Sequence, residues 1–365
     1  MFRRVFTAGL AALLFLVAAP ASAQFLAADL IYLPAAASTG GANGSQWRSD
    51  LYITNVDTED AIDVALVYAP TGLTNNGSRF ITRDTWLGGR EGDGFAYIDP
   101  ILADIPPGGT VILRDPIGNY WNADGTIPDS GGIVLFAYEA NTLEDDGTRV
   151  LKNAILNTRV YTPNTFFEPD PDNEGEFIEV TGTYGQTLPG VPWYNLADSS
   201  AVGENGDFSF QMLTGATENE EVRYNVGIFN ASDPLTTLNV QIQPFQGNGE
   251  PFPGAAGGDM LFQVTVPPGG HVQYNSVLLT LFGFAVAPDD VRIDISIVNW
   301  ASGNSEPVVG MTTYGNYIDS TTNDPIAILP AFAYPYNVEC QWENAKSGSG
   351  SGGRMTRRPL EIPPR

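Results

Sequence analysis

One cysteine and one histidine stand in this chain of 365 residues, and those two scarcities remove much chemistry. With Cys340 alone, no disulfide can form within the chain. With His271 alone, a multi-histidine metal site is ruled out, and any Ser-His-Asp or Cys-His arrangement has to pass through that single ring. His271 follows directly on Pro267-Pro268-Gly269-Gly270, a setting that favours a polar turn-edge role. Cys340 sits near Glu339 and Glu343, the reverse of the electropositive surroundings that generate a thiolate. It reads as a bystander or as the partner of an intermolecular disulfide.

Basic residues are also scarce. Lys and Arg total 17 against 42 Asp and Glu, and the formal charge is −25. Only Lys152 and Lys346 are lysines. Nucleic acids and anionic lipid surfaces are bound chiefly through Lys and Arg, so neither is expected as a partner. Long apolar runs are missing except for Ala8–Ala19, which is shorter than the ~18 residues a membrane-spanning helix needs. Arg3 and Arg4 precede that run and Ala21-Ser22-Ala23 follows it. This is the pattern of a secretion signal cleaved after Ala23, so the expected address is the periplasm, the outer surface or the medium. No stretch sustains an apolar period of 3.6 residues, which excludes a helical architecture.

What is present is a duplication. Gln46-Trp47-Arg48-Ser49-Asp50-Leu51-Tyr52-Ile53-Thr54-Asn55 recurs as Glu221-Val222-Arg223-Tyr224-Asn225-Val226-Gly227-Ile228-Phe229-Asn230. Arg48, Asp50 and Asn55 align with Arg223, Asn225 and Asn230 at one offset of 175. Pro106-Pro107-Gly108-Gly109 recurs as Pro267-Pro268-Gly269-Gly270 at an offset of 161, so the first copy carries an insertion near residues 75–99. Between these landmarks run short alternating segments such as Ile62–Tyr68 and Leu238–Ile242, separated by Gly/Pro turns. The expectation is an all-β chain of two tandem antiparallel β-sandwiches with an immunoglobulin-like or Greek-key course. Its parts are a signal peptide at 1–23, a first sandwich at 24–165, an acidic linker or loop at 166–183, a second sandwich at 184–333 and a disordered Gly/Ser and basic tail at 334–365.

The segment from Gly41 (Gly-Ala-Asn-Gly-x-x-Trp-Arg-x-Asp-Leu), the Pro-Pro-Gly-Gly turn, Gly185-Gln186-x-Leu188-Pro189 and Asn323-Asp324-Pro325-x-x-x-x-Pro330 resemble a group of secreted bacterial tandem β-sandwich repeat proteins of uncharacterised function. The resemblance implies export and a repeated β fold over most of residues 30–331. It implies no catalytic residues.

Candidate ligand positions are few. Asp170-x-Asp172-x-Glu174-Gly175 sets hard oxygen ligands at alternate positions, as an EF-hand loop begins. Thr181 occupies the place of the closing Glu and Pro171 intrudes, so a solvated acidic linker competes with calcium binding at Asp170, Asp172 and Glu174. Trp86, Trp121 and Trp193 lie in loop-like stretches, where an exposed ring can stack on the C–H face of a sugar. The competing role for them is to fill cores and joints. Arg48 with Asp50, and Arg223 with Asn225, fall two apart on one strand face, as pairs that brace a neighbouring strand or turn. Together these features predict an exported, non-catalytic adhesion, matrix or structural component that binds glycans or a protein partner, with calcium as the one candidate cofactor. Two alternatives are a carboxylate-dependent glycoside hydrolase or its sugar-binding accessory, and a self-assembling fibre subunit joined through edge strands.

Overall fold

The computed structural model describes residues 26–41, 45–72, 102–123, 125–141, 149–169, 177–198, 210–232, 235–254, 258–284, 288–303, 305, 307, 309–319, 325–333, 338–342 and 355–359. The expected signal segment at 1–23 and the expected insertion at 75–99 lie outside them.

The chain is all-β. The first half contains β1 (Leu30–Ala37), β2 (Thr39–Gly40), β3 (Gln46–Asn55), β4 (Ile62–Pro70), β5 (Leu102–Ile105), β6 (Thr110–Leu113), β7 (Ser130–Glu139), β8 (Ala154–Pro169), β9 (Phe177–Pro189) and β10 (Val191–Pro192). The second contains β11 (Ala197–Asp198), β12 (Phe210–Ala216), β13 (Val222–Asn230), β14 (Thr236–Phe245), β15 (Phe262–Val266), β16 (His271–Tyr274), β17 (Val291–Ser302), β18 (Gly310–Asp319), β19 (Pro325–Ile328) and β20 (Ala331–Ala333). Pairing runs in parallel in the two halves. The twice-written strand β3 lies between β6 and β8, and its counterpart β13 lies between β16 and β18. Likewise β4 lies between β5 and β7, and β14 between β15 and β17.

Two tandem sandwiches are not what these strands build. They form four five-stranded sheets set as the blades of a four-bladed propeller. The blades are β2-β3-β8-β9 with β6, β10-β1-β7-β4-β5, β11-β18-β13-β16 with β19, and β15-β14-β17-β12-β20. The deciding feature is the second blade, which is buried on both faces. Ile31, Leu33, Ile62, Val64, Leu66, Ile133 and Leu135 pack toward the first blade. Their neighbours in sequence, Leu30, Tyr32, Ala65, Val67, Val134, Phe136 and Tyr138, pack with Leu196, Phe229 and Ala231 of the second half. A sandwich sheet keeps one face for solvent and alternates apolar with polar. Here β4 is buried from end to end and, apart from Asp63, is apolar on both faces. A third cluster, with Val226, Ile228, Val240, Ile242, Ile293 and Ile295, fills the space between the third and fourth blades.

The acidic stretch is not a free linker along its length. β8 and β9 pair from Asn157↔Pro189 out to Pro169↔Phe177, so residues 166–169 and 177–183 belong to a long hairpin. The aromatic and β-branched residues flanking the acidic stretch suit strands. Part of the tail expected to be disordered also pairs, β21 (Val338–Trp342) with β22 (Met355–Pro359).

Local devices repeat with the strands. In each Pro-Pro-Gly-Gly turn the third residue has positive φ, 65° at Gly108 and 57° at Gly269, and the fourth donates its N–H to the first carbonyl, at 2.8 Å and 2.9 Å. Proline second and glycine third is the type II pattern. A Cβ on Gly109 or Gly270 would lie 2.8 Å from that same proline carbonyl oxygen, so glycine is needed there too. The duplicated asparagines clasp these turns. Asn55 Nδ2 donates to Asp60 O and Ile105 O. Asn230 Nδ2 donates to Thr236 O at 2.9 Å, Val266 O at 3.1 Å and Pro267 O at 2.9 Å. Asn230→Ala leaves these buried carbonyls without that donor and is expected to destabilise the protein by about 2 kcal/mol, measured as the shift of a urea midpoint at unchanged slope. A change within a few tenths would refute the clasp.

Candidate functional site

The seam between the halves opens on one side into a cleft of about 360 Å³. One wall is a face of the third blade. On β13 the alternate residues Arg223, Asn225, Gly227 and Phe229 share this face by the strand period of two. The register sets Asn225 against Asn316 and Gly227 against Tyr314 on β18, and Gly227 against Gln273 on β16. The other wall comes from the first half: Ala35–Ala37 at the end of β1, Trp47 on β3, Val160 on β8, and Gln186 and Leu188 on β9.

A chain of polar groups crosses the seam. Ser130 Oγ lies 3.1 Å from Thr71 Oγ1, which lies 2.7 Å from His271 Nδ1. His271 Nε2 is 3.2 Å from the Tyr314 hydroxyl, and that hydroxyl donates to Gln273 Oε1 at 2.6 Å. Gln273 Nε2 donates to Asn275 Oδ1 at 2.8 Å. The proton directions follow from the far end. Gln273 Oε1 can only accept, so the Tyr314 hydrogen goes to it. Tyr314 oxygen then accepts from an Nε2–H tautomer of His271, leaving Nδ1 to accept from Thr71. Every link is made with a neutral imidazole. His271 is 1% exposed, and burial pushes its pKa down to about 4, in agreement with a neutral ring. Both ring nitrogens are occupied, so His271 ties the two halves together and holds Tyr314 in place. The fold makes room for this: a Cβ on Gly227 would meet Tyr314 Cε1 at 2.0 Å. The sequence marked His271 as a turn-edge polar residue. It does begin a strand after the turn, but it is sealed in the joint by Thr71 from the other half.

Arg223 is the cation of this cleft, and it differs from its counterpart. In the first copy Arg48 pairs with Asp115 at 3.7 Å, Asp50 pairs with Arg114, and Asp50 Oδ1 accepts the Asp115 N–H at 3.2 Å. In the second copy Asp50 is replaced by Asn225, Arg114 by Asn275 and Asp115 by Ser276. The backbone contact survives, with Ser276 N–H donating to Asn225 Oδ1 at 3.1 Å. Both turn residues keep positive φ, 42° at Asp115 and 51° at Ser276. The carboxylates do not survive. Among the described residues Arg223 has no ion-pair partner, its Nε is buried without a hydrogen bond, and burial pulls its pKa down. Gln186 Oε1 and Asn316 Oδ1, on opposite walls, are likewise buried without partners. A cation and two acceptors left open around one cavity form an arrangement that a ligand can complete, because unmet buried polar groups are costly.

The candidates named from sequence are distributed elsewhere. Trp121 stacks on Tyr68 at 5.2 Å with its plane 17° off and packs on the first core. Trp193 is 38% exposed and donates Nε1–H to Asp29 at 2.9 Å. Neither lines the cleft. Trp86, and the calcium candidates Asp170, Asp172 and Glu174, lie outside the described residues. Among the described residues no group of three or more His, Cys, Asp or Glu is placed to hold a metal, and no helix is long and apolar enough to cross a membrane. Sequence reasoning missed Trp47, Gln186 and Asn316, since nothing in strand periodicity tells which polar residue faces a cavity. Arg223 had a usable signal, namely the loss of two acidic residues between the copies.

No family model matches this chain, and no curated protein and no solved structure is significantly similar to it.

Proposed function

We propose that this protein is exported and works as a non-catalytic recognition component of the cell surface or its surroundings, holding a small polar ligand or a terminal group of a larger one in the seam cleft. The observation that carries this reading is the set of unpartnered buried groups, Arg223 Nε, Gln186 Oε1 and Asn316 Oδ1, around one cavity. A volume of about 360 Å³ falls in the ~300–1,000 Å³ range of small-molecule sites. Export is supported by the basic, apolar and small-residue order of residues 1–23, and by the motifs that resemble secreted repeat proteins. Among the described residues the lining includes no Asp or Glu, so the paired carboxylates of a glycoside hydrolase have no counterpart among them.

The test is retention of the purified chain 24–365 on a panel of immobilised glycans and peptides, with and without chelator. Saturable retention that weakens in Asn316→Ala supports the reading. Retention insensitive to that change moves recognition to another surface.

A further inference from the structure

We infer that the ligand of the seam cleft is a sugar acid, a pyranose or furanose ring bearing one carboxylate that pairs with Arg223. This rests on the recognition reading above and narrows it to a chemical class. Three observations converge. First, the halves differ where they should match. Arg48 is 53% exposed in its side chain and has Asp115 beside it, whereas Arg223 faces the cleft with Ser276 and Asn225 in place of the two carboxylates. A half-buried guanidinium without an anion is unfavourable, and a bound carboxylate supplies the missing charge in a geometry the guanidinium fork fits.

Second, the remaining open groups are acceptors. Gln186 is 9% exposed, and among the described residues its Oε1 and Asn316 Oδ1 have no donor. The ligand therefore brings O–H or N–H donors as well as a carboxylate. A zwitterionic amino acid would bring an ammonium, but among the described residues the lining offers that ammonium no carboxylate, and a buried unpaired charge is disfavoured. Sugar hydroxyls are neutral donors and meet no such penalty.

Third, part of the wall is apolar: Ala35, Ala36, Trp47, Val160, Leu188 and Ile318. Such a wall suits the C–H face of a sugar ring, with Trp47 as the aromatic surface. The protein's formal charge of −25 works against a polyanion, so a single acidic residue in an otherwise neutral glycan fits better than a polyuronate.

The experiment is calorimetric titration of the chain 24–365 with D-glucuronate, D-galacturonate, the methyl ester of each and the matching neutral hexoses. A glutamate-terminated tripeptide is included as an acidic peptide. The expected result is that a uronate binds about tenfold or more tightly than its ester and its hexose. In Arg223→Gln that preference disappears, while Arg48→Gln, whose arginine lies outside the cleft, keeps it. Arg223→Lys keeps the charge but not the fork, so it retains part of the preference. Circular dichroism and thermal midpoints of the variants show that the fold is intact. Equal binding of hexose, ester and acid, all weakened by Asn316→Ala, overturns the acid assignment while recognition at the cleft stands. Arg223-dependent binding of the tripeptide without any uronate overturns the sugar class. No binding by any probe overturns the sugar acid, and the immobilised panel then decides the wider reading separately.

Discussion

Phe229→Ala is expected to lower stability by about 3–5 kcal/mol, the range for emptying a large aromatic site in a core. Phe229 is fully buried on β13, its ring centroid 6.0 Å from that of Tyr32 in the other half. It belongs to the cluster that joins the second and third blades. The substitution therefore tests more than one cavity. In two independent sandwiches this position would be solvent-facing or nearly so, and the change would cost well under 1 kcal/mol. With the halves fused through this seam, the wild type unfolds in one cooperative transition followed by circular dichroism in urea, and the variant's midpoint moves strongly down. A wild type with two well-separated transitions, or a variant within 1 kcal/mol of it, would contradict the continuous body.

The second large effect is pH dependence through His271. Its folded-state pKa is pushed to about 4 by burial, from an ordinary value of 6.5. Between those values the unfolded chain binds a proton at this ring and the folded protein does not. Stability from this group is thus complete above pH 6.5 and falls as the pH drops toward 4, by up to about 3 kcal/mol. Asp294 acts in the opposite sense. Burial raises it from 3.8 to about 6 against the pull of Arg292, so the folded state takes up a proton first and gains stability as pH falls through that window. Comparison with His271→Gln isolates the histidine, because Asp294 is common to both proteins. The variant is expected to be less stable at pH 7.5, and its deficit relative to wild type is expected to shrink as the pH falls from 6.5 to 4.5. A constant deficit across that range would mean that His271 is not held neutral in the folded protein.

The local parts of this fold were readable because they depend on near neighbours. The Pro-Pro-Gly-Gly turns, the strand identities of β3 and β13, and the matched asparagines all follow from residue types at short range. The bracing role read for the polar pairs is seen in Asp50 and Asn225, each accepting from a turn N–H, although Arg48 pairs with Asp115 and not with Asp50. Misreadings arose where one pattern has two physical meanings. An alternating segment such as Ile62–Tyr68 says that one strand face is buried, but not whether a second sheet lies on its other face. An acidic, Pro-containing stretch reads equally as a linker or a long loop, and only the pairing of the strands on both sides of it shows a hairpin. Trp121 sits in a loop-like stretch, and of the two roles read for it the structure shows packing on the first core.

The sequence by itself determined that the chain is all-β, where it turns, and that one half echoes the other, because propensity, alternation and turn chemistry act over a few residues. Only the tertiary structure decided that four sheets stack as blades, that His271 is sealed between the halves by Thr71, and that Arg223 faces a cleft without its carboxylates. Those outcomes depend on which faces meet across 200 positions of sequence. Burial and pairing at such distances are set by packing, and packing is not written in any local pattern.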